Sequence, residues 1–245
     1  MTFPHDWIVP DWPAPIGVKS LITTRNGGVS TGAYASFNLG LRSGDDEGAV
    51  YANRMQLRRY LPQEPKWLRQ VHGSRVVAAD GMSNVPAADA SIARQPGTVC
   101  VVMIADCMPV LLCDEAASVV GIAHAGWRGL ASGIVENTVR ATGVAPNELL
   151  AYLGPAIGPR AFEVGADVRD AFIAADDAAA QAFKPHREHK WLADLFQLAR
   201  QHLTRCGITR IFGGGLCSYT DNTRFYSYRR DQNSGRMAAL IWLDT

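Results

Sequence analysis

Residues 99–129 read VCVVMIADCMPVLLCDEAASVVGIAHAGWRG. The apolar runs 99–105, 110–113 and 119–125 are of strand length and rich in Val and Ile, which predicts buried strands. Two of them end on reactive side chains. Asp106-Cys107-Met108-Pro109 follows the first, and His124 closes the third, where Gly126-Trp127-Arg128-Gly129 leads into a helix. Strand ends that open into loops are where a sheet exposes functional groups. Cys107 and His124 are therefore expected to be neighbours across adjacent strands, with Pro109, which has no N–H, interrupting the ladder just past Cys107.

Outward from this stretch, similar runs predict strands at 18–23, 66–70, 149–153, 208–212, 224–228 and 238–243. Apolar residues spaced three and four apart predict helices over 130–141, 168–173 and 191–203, the last ended by Gly207, and the Ala/Asp-rich tract 174–182 reads as a solvated helix. Strands and helices do not alternate as in a doubly wound sheet, and no internal repeat or long polar linker is present. The expectation is one α+β domain spanning 1–245, with mixed β-sheets and outer helices.

Composition narrows the partners. The chain has 245 residues, 47% hydrophobic and 19% charged, and its 24 Lys plus Arg against 23 Asp plus Glu leave a net charge of +1. No field of either sign is available to steer a polyanion, so nucleic acid is not an expected partner. The apolar runs fall far short of the ~20 residues a membrane helix needs. Residues 1–17 carry Asp and Pro where a secretion signal needs a basic start and an apolar run, and the five cysteines are odd in number and contain no CxxC. A cytoplasmic, reducing location follows as an expectation.

A third reactive residue is His72, in Gln70-Val71-His72-Gly73. Two imidazoles and one thiolate suit zinc, with a fourth position left for water. The spacing of His72, Cys107 and His124 matches no zinc-finger pattern, and a Cys after an apolar run is more often a core residue. His186 and His189 read as a charged solvated connector, His202 as a helix residue that packs, and His5 as part of a frayed terminus. Cys100, Cys113, Cys206 and Cys217 read as core thiols, although Cys217 follows a strand and is placed to line a cleft. Arg25-Asn26-Gly27-Gly28 and Gly126 to Gly129 offer glycine turns beside a guanidinium, but neither is a Walker or Rossmann pattern. The run 225–231, FYSYRRD, suits base stacking and phosphate binding, or equally a salt-bridged strand end.

The blocks Thr24-Arg25-Asn26-Gly27-Gly28-Val29-Ser30, Ser36-Phe37-Asn38-Leu39-Gly40, Gln70-Val71-His72-Gly73, Ala105-Asp106-Cys107-Met108-Pro109, His124-Ala125-Gly126-Trp127-Arg128-Gly129, Gly154-Pro155-Ala156-Ile157-Gly158-Pro159 and Gly235-Arg236 occur in an order that resembles the YfiH-type family. That family carries the names multicopper polyphenol oxidase or laccase-domain protein, purine nucleoside phosphorylase and peptidoglycan editing factor. The resemblance runs from about residue 16 to 243. It implies that His72, Cys107 and His124 bind one metal, zinc, with copper as the other candidate, and that the fold is similar to cytotoxic necrotizing factor catalytic domains. The chain departs from the family pattern at Phe37, Ser218 and Ala93, the last removing a hydroxyl expected near the pocket.

The resemblance further implies zinc-dependent phosphorolysis of adenosine, inosine, guanosine and methylthioadenosine, with adenosine deamination as a second reaction. The partners are then a nucleoside and phosphate. Asp106 is the nearest candidate to shuttle protons, although strand alternation points it away from Cys107 unless the chain bends there. Arg25 or Arg128 is expected on phosphate, and Asn38 on sugar or base. Copper oxidation of phenols is the alternative, weakened by six His with no HxH pair. A cysteine hydrolase acting on a peptidoglycan precursor, with Cys107 as nucleophile and His124 or His72 as base, is another.

Overall fold

A computed structural model describes residues 6–244. Its strands are β1 (Val18–Ile22), β2 (Val76–Ala78), β3 (Ala90–Ala93), β4 (Cys100–Ile104), β5 (Met108–Asp114), β6 (Val120–Ala125), β7 (Leu149–Leu153), β8 (Glu163–Val164), β9 (Phe183–Arg187), β10 (Lys190–Ala193), β11 (Arg210–Gly213) and β12 (Met237–Leu243). The helices are α1 (Glu47–Arg58), α2 (Trp127–Ala131), α3 (Ile134–Thr142), α4 (Ala166–Ile173), α5 (Leu195–Arg205) and α6 (Tyr228–Asp231).

Three sheets form, in the orders β1-β12-β4, β11-β7-β5-β6-β3-β2 and β8-β10-β9. In the six-stranded sheet β11–β7 and β2–β3 are parallel and the other pairs antiparallel, so it is mixed, as expected. Alternation along β5 explains how the layers stack. Leu111 and Cys113 pack with Val102, Ile104, Ala239 and Ile241 of the first sheet, whereas Val110 and Leu112 pack with Leu130, Ile134, Leu198 and Leu203 of the helices. A strand covered on both faces needs no polar positions, which is why these runs are continuously apolar. The outer face of the first sheet, with Leu21, Val101 and Leu240, is closed by Phe37, Leu39, Leu57 and Trp67. The order is therefore a cover containing α1, a three-stranded sheet, the six-stranded sheet and a helical layer.

Several local expectations are corrected. The helix read over 130–141 is two helices, broken where Gly133 takes a positive φ of 84°. The helix read from residue 191 starts at Leu195, where the Asp194 carboxylate accepts the Gln197 N–H, and Trp191 belongs to β10. The tract 174–182 holds a 3-10 segment with Ala179 and Ala182 buried. Residues 66–70 make only isolated bridges; the Gln70 side-chain amide instead pairs with the backbone of Met103 through both its oxygen (2.7 Å) and its nitrogen (2.9 Å), doing a strand's work from a side chain. Residues 224–228 are not a strand either, since Phe225 and Tyr226 are fully buried by packing and the chain enters α6 at Tyr228. His186 and His189 belong to the β9–β10 hairpin rather than a connector. His5 lies outside the described residues. All five cysteines are free thiols.

Candidate metal centre

Cys107 lies in the turn that carries the chain from β4 of the first sheet to β5 of the second. Because β5 and β6 pair with Pro109 opposite His124 and Met108 opposite Ala125, the thiol and the imidazole come together at one end of that pair. The expected proximity therefore holds, through β5 rather than through β4. Pro109 does not interrupt the ladder. Its carbonyl accepts the Gly154 N–H on the β7 side, where pairing with β7 begins only at Val110, so the missing proline N–H leaves no rung empty.

His72 reaches the pair from the loop before β2. The donor atoms of His72, Cys107 and His124 lie within 4.8 Å of one another, and the two imidazole centroids are 4.9 Å apart. His72 adopts a left-handed φ of 59°, which costs a non-glycine residue roughly 1–2 kcal/mol. Asp89 supplies the compensation. Its buried carboxylate accepts three successive backbone N–H groups, from Val71 (3.1 Å), His72 (2.9 Å) and Gly73 (2.8 Å), and lies 3.0 Å from His124 Nδ1. A carboxylate behind a histidine at Nδ1 leaves Nε2 free to bind a metal, the usual outer-shell arrangement of such sites.

Electrostatics match the geometry. Burial works to raise the Cys107 thiol, but the His124 imidazole, joined by His72, outweighs it and brings the thiol down to about 6. For His124 burial works downward, and the Cys107 thiolate and the Asp89 carboxylate carry it up to about 9. Burial would also raise Asp89, yet the hydrogen bonds from His124, Gly73 and Val71 hold it below the usual carboxylate range. The cluster thus keeps sulfur as thiolate, the form that ligates a metal. Gly126 makes room for it, since a Cβ there would stand 2.7 Å from Cys107 Sγ. Two imidazoles and a thiolate, without a fourth protein donor in the group, fit a divalent cation with one open position.

The trio opens on a cavity of about 710 Å³ lined also by five arginines, Arg42, Arg69, Arg128, Arg229 and Arg236. Arg128 lines it, its guanidinium carbon 4.5 Å from the Trp127 ring centroid. Arg25 does not line the cavity. Its guanidinium is bound to Ala35 O (3.1 and 3.0 Å) and Asn222 O (3.1 Å) and lies 4.8 Å from the Tyr226 ring centroid, so it ties loops together. Asn38 is fully buried and also outside the lining; it donates to Ser43 Oγ and Asp45 Oδ2 and accepts from the N–H of Gly40 and of Arg236.

Asp106 takes a positive φ of 85°, the bend that alternation alone did not provide, and it lines the cavity. Its carboxylate accepts from Ser218 Oγ (2.6 Å), Ser227 Oγ (3.0 Å) and the Arg229 N–H (2.6 Å), a set that ties three segments together. Ala93 is fully buried between sheets and does not line the cavity, so a hydroxyl there would not face a ligand. Cys217 is likewise outside the lining, accepting the Gly158 N–H. His202 is buried with Nδ1 on Glu136, as a packed helix residue. The sequence reading missed Asp89, Gln70 and Arg236. The only signal for Asp89 was an acid directly before a short apolar run.

Residues 19–244 match the family model described as multi-copper polyphenol oxidoreductase laccase. The chain belongs to this family. Among its members, the chain is 53% identical over 239 residues to purine nucleoside phosphorylase YfiH of Escherichia coli, covering 96% of this chain and 98% of that protein. It is 52% identical over 238 residues to a purine nucleoside phosphorylase of Pseudomonas aeruginosa, covering 97% and 98%. A Neisseria meningitidis protein of known crystal structure superposes with a TM-score of 0.95 at 50% identity, over 98% of this chain and all of that one. The family's mixed α/β architecture is the one described above. Several of these relatives carry the name purine nucleoside phosphorylase, which supports an enzyme. No helix among the described residues is long and apolar enough to cross a membrane.

Proposed function

We propose that the protein is a zinc-dependent purine nucleoside phosphorylase, acting on adenosine, inosine, guanosine or methylthioadenosine, with adenosine deamination as a second reaction at the same centre. The carrying observation is the convergence of His72, Cys107 and His124 in a cavity lined by five arginines and whose one lining carboxylate among the described residues, Asp106, is held by three donors. In phosphorolysis an oxygen of dihydrogen phosphate forms a bond to the anomeric carbon while the glycosidic C–N bond breaks, and the purine leaves with the proton that the phosphate gives up. His72, Cys107 and His124 would hold the cation, which supplies Lewis-acid polarisation when bound. Asp89 keeps the two imidazoles oriented toward it. Arg128, whose guanidinium makes no hydrogen bond among the described residues, attracts the anionic reactant, and Trp127 and Phe162 offer aromatic surface for a purine. The same reading places the protein in the cytoplasm, working on small molecules rather than nucleic acid or membrane.

Copper oxidation of phenols is the second reading, favoured by the description of the family model. A type 1 copper with a trinuclear cluster demands many imidazoles. The group here contains two, while His186, His189 and His202 stand against Glu163, Glu188 and Glu136. A cysteine hydrolase on a peptidoglycan precursor would have to use the sulfur that metal ligation also requires.

The test incubates zinc-loaded protein with adenosine and inosine, with and without phosphate, following adenine, hypoxanthine and pentose phosphate. Phosphate-dependent release of base, lost in Cys107→Ser, is expected. Base release that ignores phosphate, or phenol-dependent oxygen uptake by copper-loaded protein alone, would remove the phosphorylase reading.

A further inference from the structure

We propose that Arg236 anchors an oxyanion subsite beside the metal ligands and takes inorganic phosphate through the Nε and Nη2 edge of its guanidinium. The identity of the anion rests on the phosphorylase reading; the subsite itself rests on geometry. Arg236 stands just before β12 and is locked from several sides. Its backbone N–H donates to Asn38 Oδ1 (2.8 Å), and its Nη1 donates to Ser234 O (2.6 Å) and Gly235 O (3.0 Å). Its Cγ lies so close to Gly40 that a Cβ there would stand 2.8 Å away.

The opposite edge is left without a partner. Among the described residues Nε and Nη2 meet no acceptor, and no carboxylate pairs with this guanidinium. Asp106, the acid of the cavity wall, already has its oxygens on Ser218, Ser227 and the Arg229 N–H. A half-buried cation is normally paired with an acid, and burial here pulls the guanidinium below its ordinary pKa; with only the Tyr228 ring 5.7 Å from its Cζ and no carboxylate partner, an ordered guanidinium of this kind favours an anion from solution. The Nε/Nη2 edge is the planar fork that matches two oxygens of a tetrahedral oxyanion. Arg42 and Arg229 line the same cavity and deepen its positive potential. Asn38, expected from the sequence to touch sugar or base, would act instead by pinning the backbone of Arg236.

Wild-type zinc-loaded protein treated with phenylglyoxal, with and without inorganic phosphate, reads the subsite directly. Peptide mapping should find Arg236 modified in the absence of phosphate and protected in its presence. Arg236→Gln should raise the phosphate KM about ten- to a hundred-fold, with nucleoside KM and zinc content held. Arg236→Lys, which keeps charge but loses the fork, should recover only part. An Arg236 that phosphate does not protect, or a Gln variant with an unaltered phosphate KM, overturns the subsite. Protection without any phosphorolysis would retain the subsite and remove the phosphorylase reading; phosphorolysis with Arg236 unprotected would do the reverse. If the Gln variant fails to fold, the wild-type protection experiment decides.

Discussion

The Asp89 carboxylate lies 3.0 Å from Nδ1 of His124 and, through the same oxygen, accepts the backbone N–H of His72 at 2.9 Å. One buried acid therefore sets both imidazoles of the cluster, one by its ring and the other by its main chain. Replacing Asp89 with Ala should weaken zinc binding about 10- to 100-fold, the usual effect of losing an outer-shell partner. Competition against a chromogenic chelator measures it. Zinc affinity equal to wild type would show that the imidazoles hold their positions unaided.

The lowered Cys107 thiol makes a pH prediction in the metal-free protein. An acid whose pKa is depressed is ionised above that lower value, so alkylation by iodoacetamide should rise as pH increases through about 6, rather than near the ordinary 9. Zinc should suppress it across the whole range, because the cation occupies the sulfur. A rate profile centred near 9 would mean that His124 and His72 do not stabilise the thiolate.

Gly126 is set by close approach to Cys107. Gly126→Ala puts a methyl group 2.7 Å from the sulfur and 3.5 Å from His72 Cδ2, so the metal ligands must move apart. Zinc stoichiometry by elemental analysis should fall well below one per chain, while the circular dichroism spectrum stays that of the folded protein.

Arg25 separates a structural from a substrate role. Arg25→Met removes hydrogen bonds to Ala35 and Asn222 and should cost about 1–3 kcal/mol of stability, visible in denaturant unfolding. The phosphate KM should not change. An altered phosphate KM with unaltered stability would return Arg25 to the site.

Much of the layering was legible. The runs that became β4, β5, β6, β7 and β12 are almost wholly apolar, with His124 and Asp114 as the exceptions near strand ends, because each is covered on two faces, and such runs stand out in any sequence. Residues 224–228 misled for a related reason. Phe225 and Tyr226 are as buried as any strand residue, but they pack without pairing, and composition records burial rather than hydrogen bonding. The short β2, β8 and β10 and the charged β9 were invisible, since two to five residues carry too little periodicity and much of their order comes from neighbours.

By itself the sequence determined which residues lie inside, and it offered an imidazole, a thiol and a second imidazole as a possible set, because burial and donor chemistry are properties of single residues. Only the tertiary structure decided that the three meet, that Asp89 stands behind two of them, and that Arg236 rather than Arg25 faces the cavity. Those are relations across loops and sheets, set by register and by backbone turns at His72 and Asp106, and a linear order of side chains contains no distances.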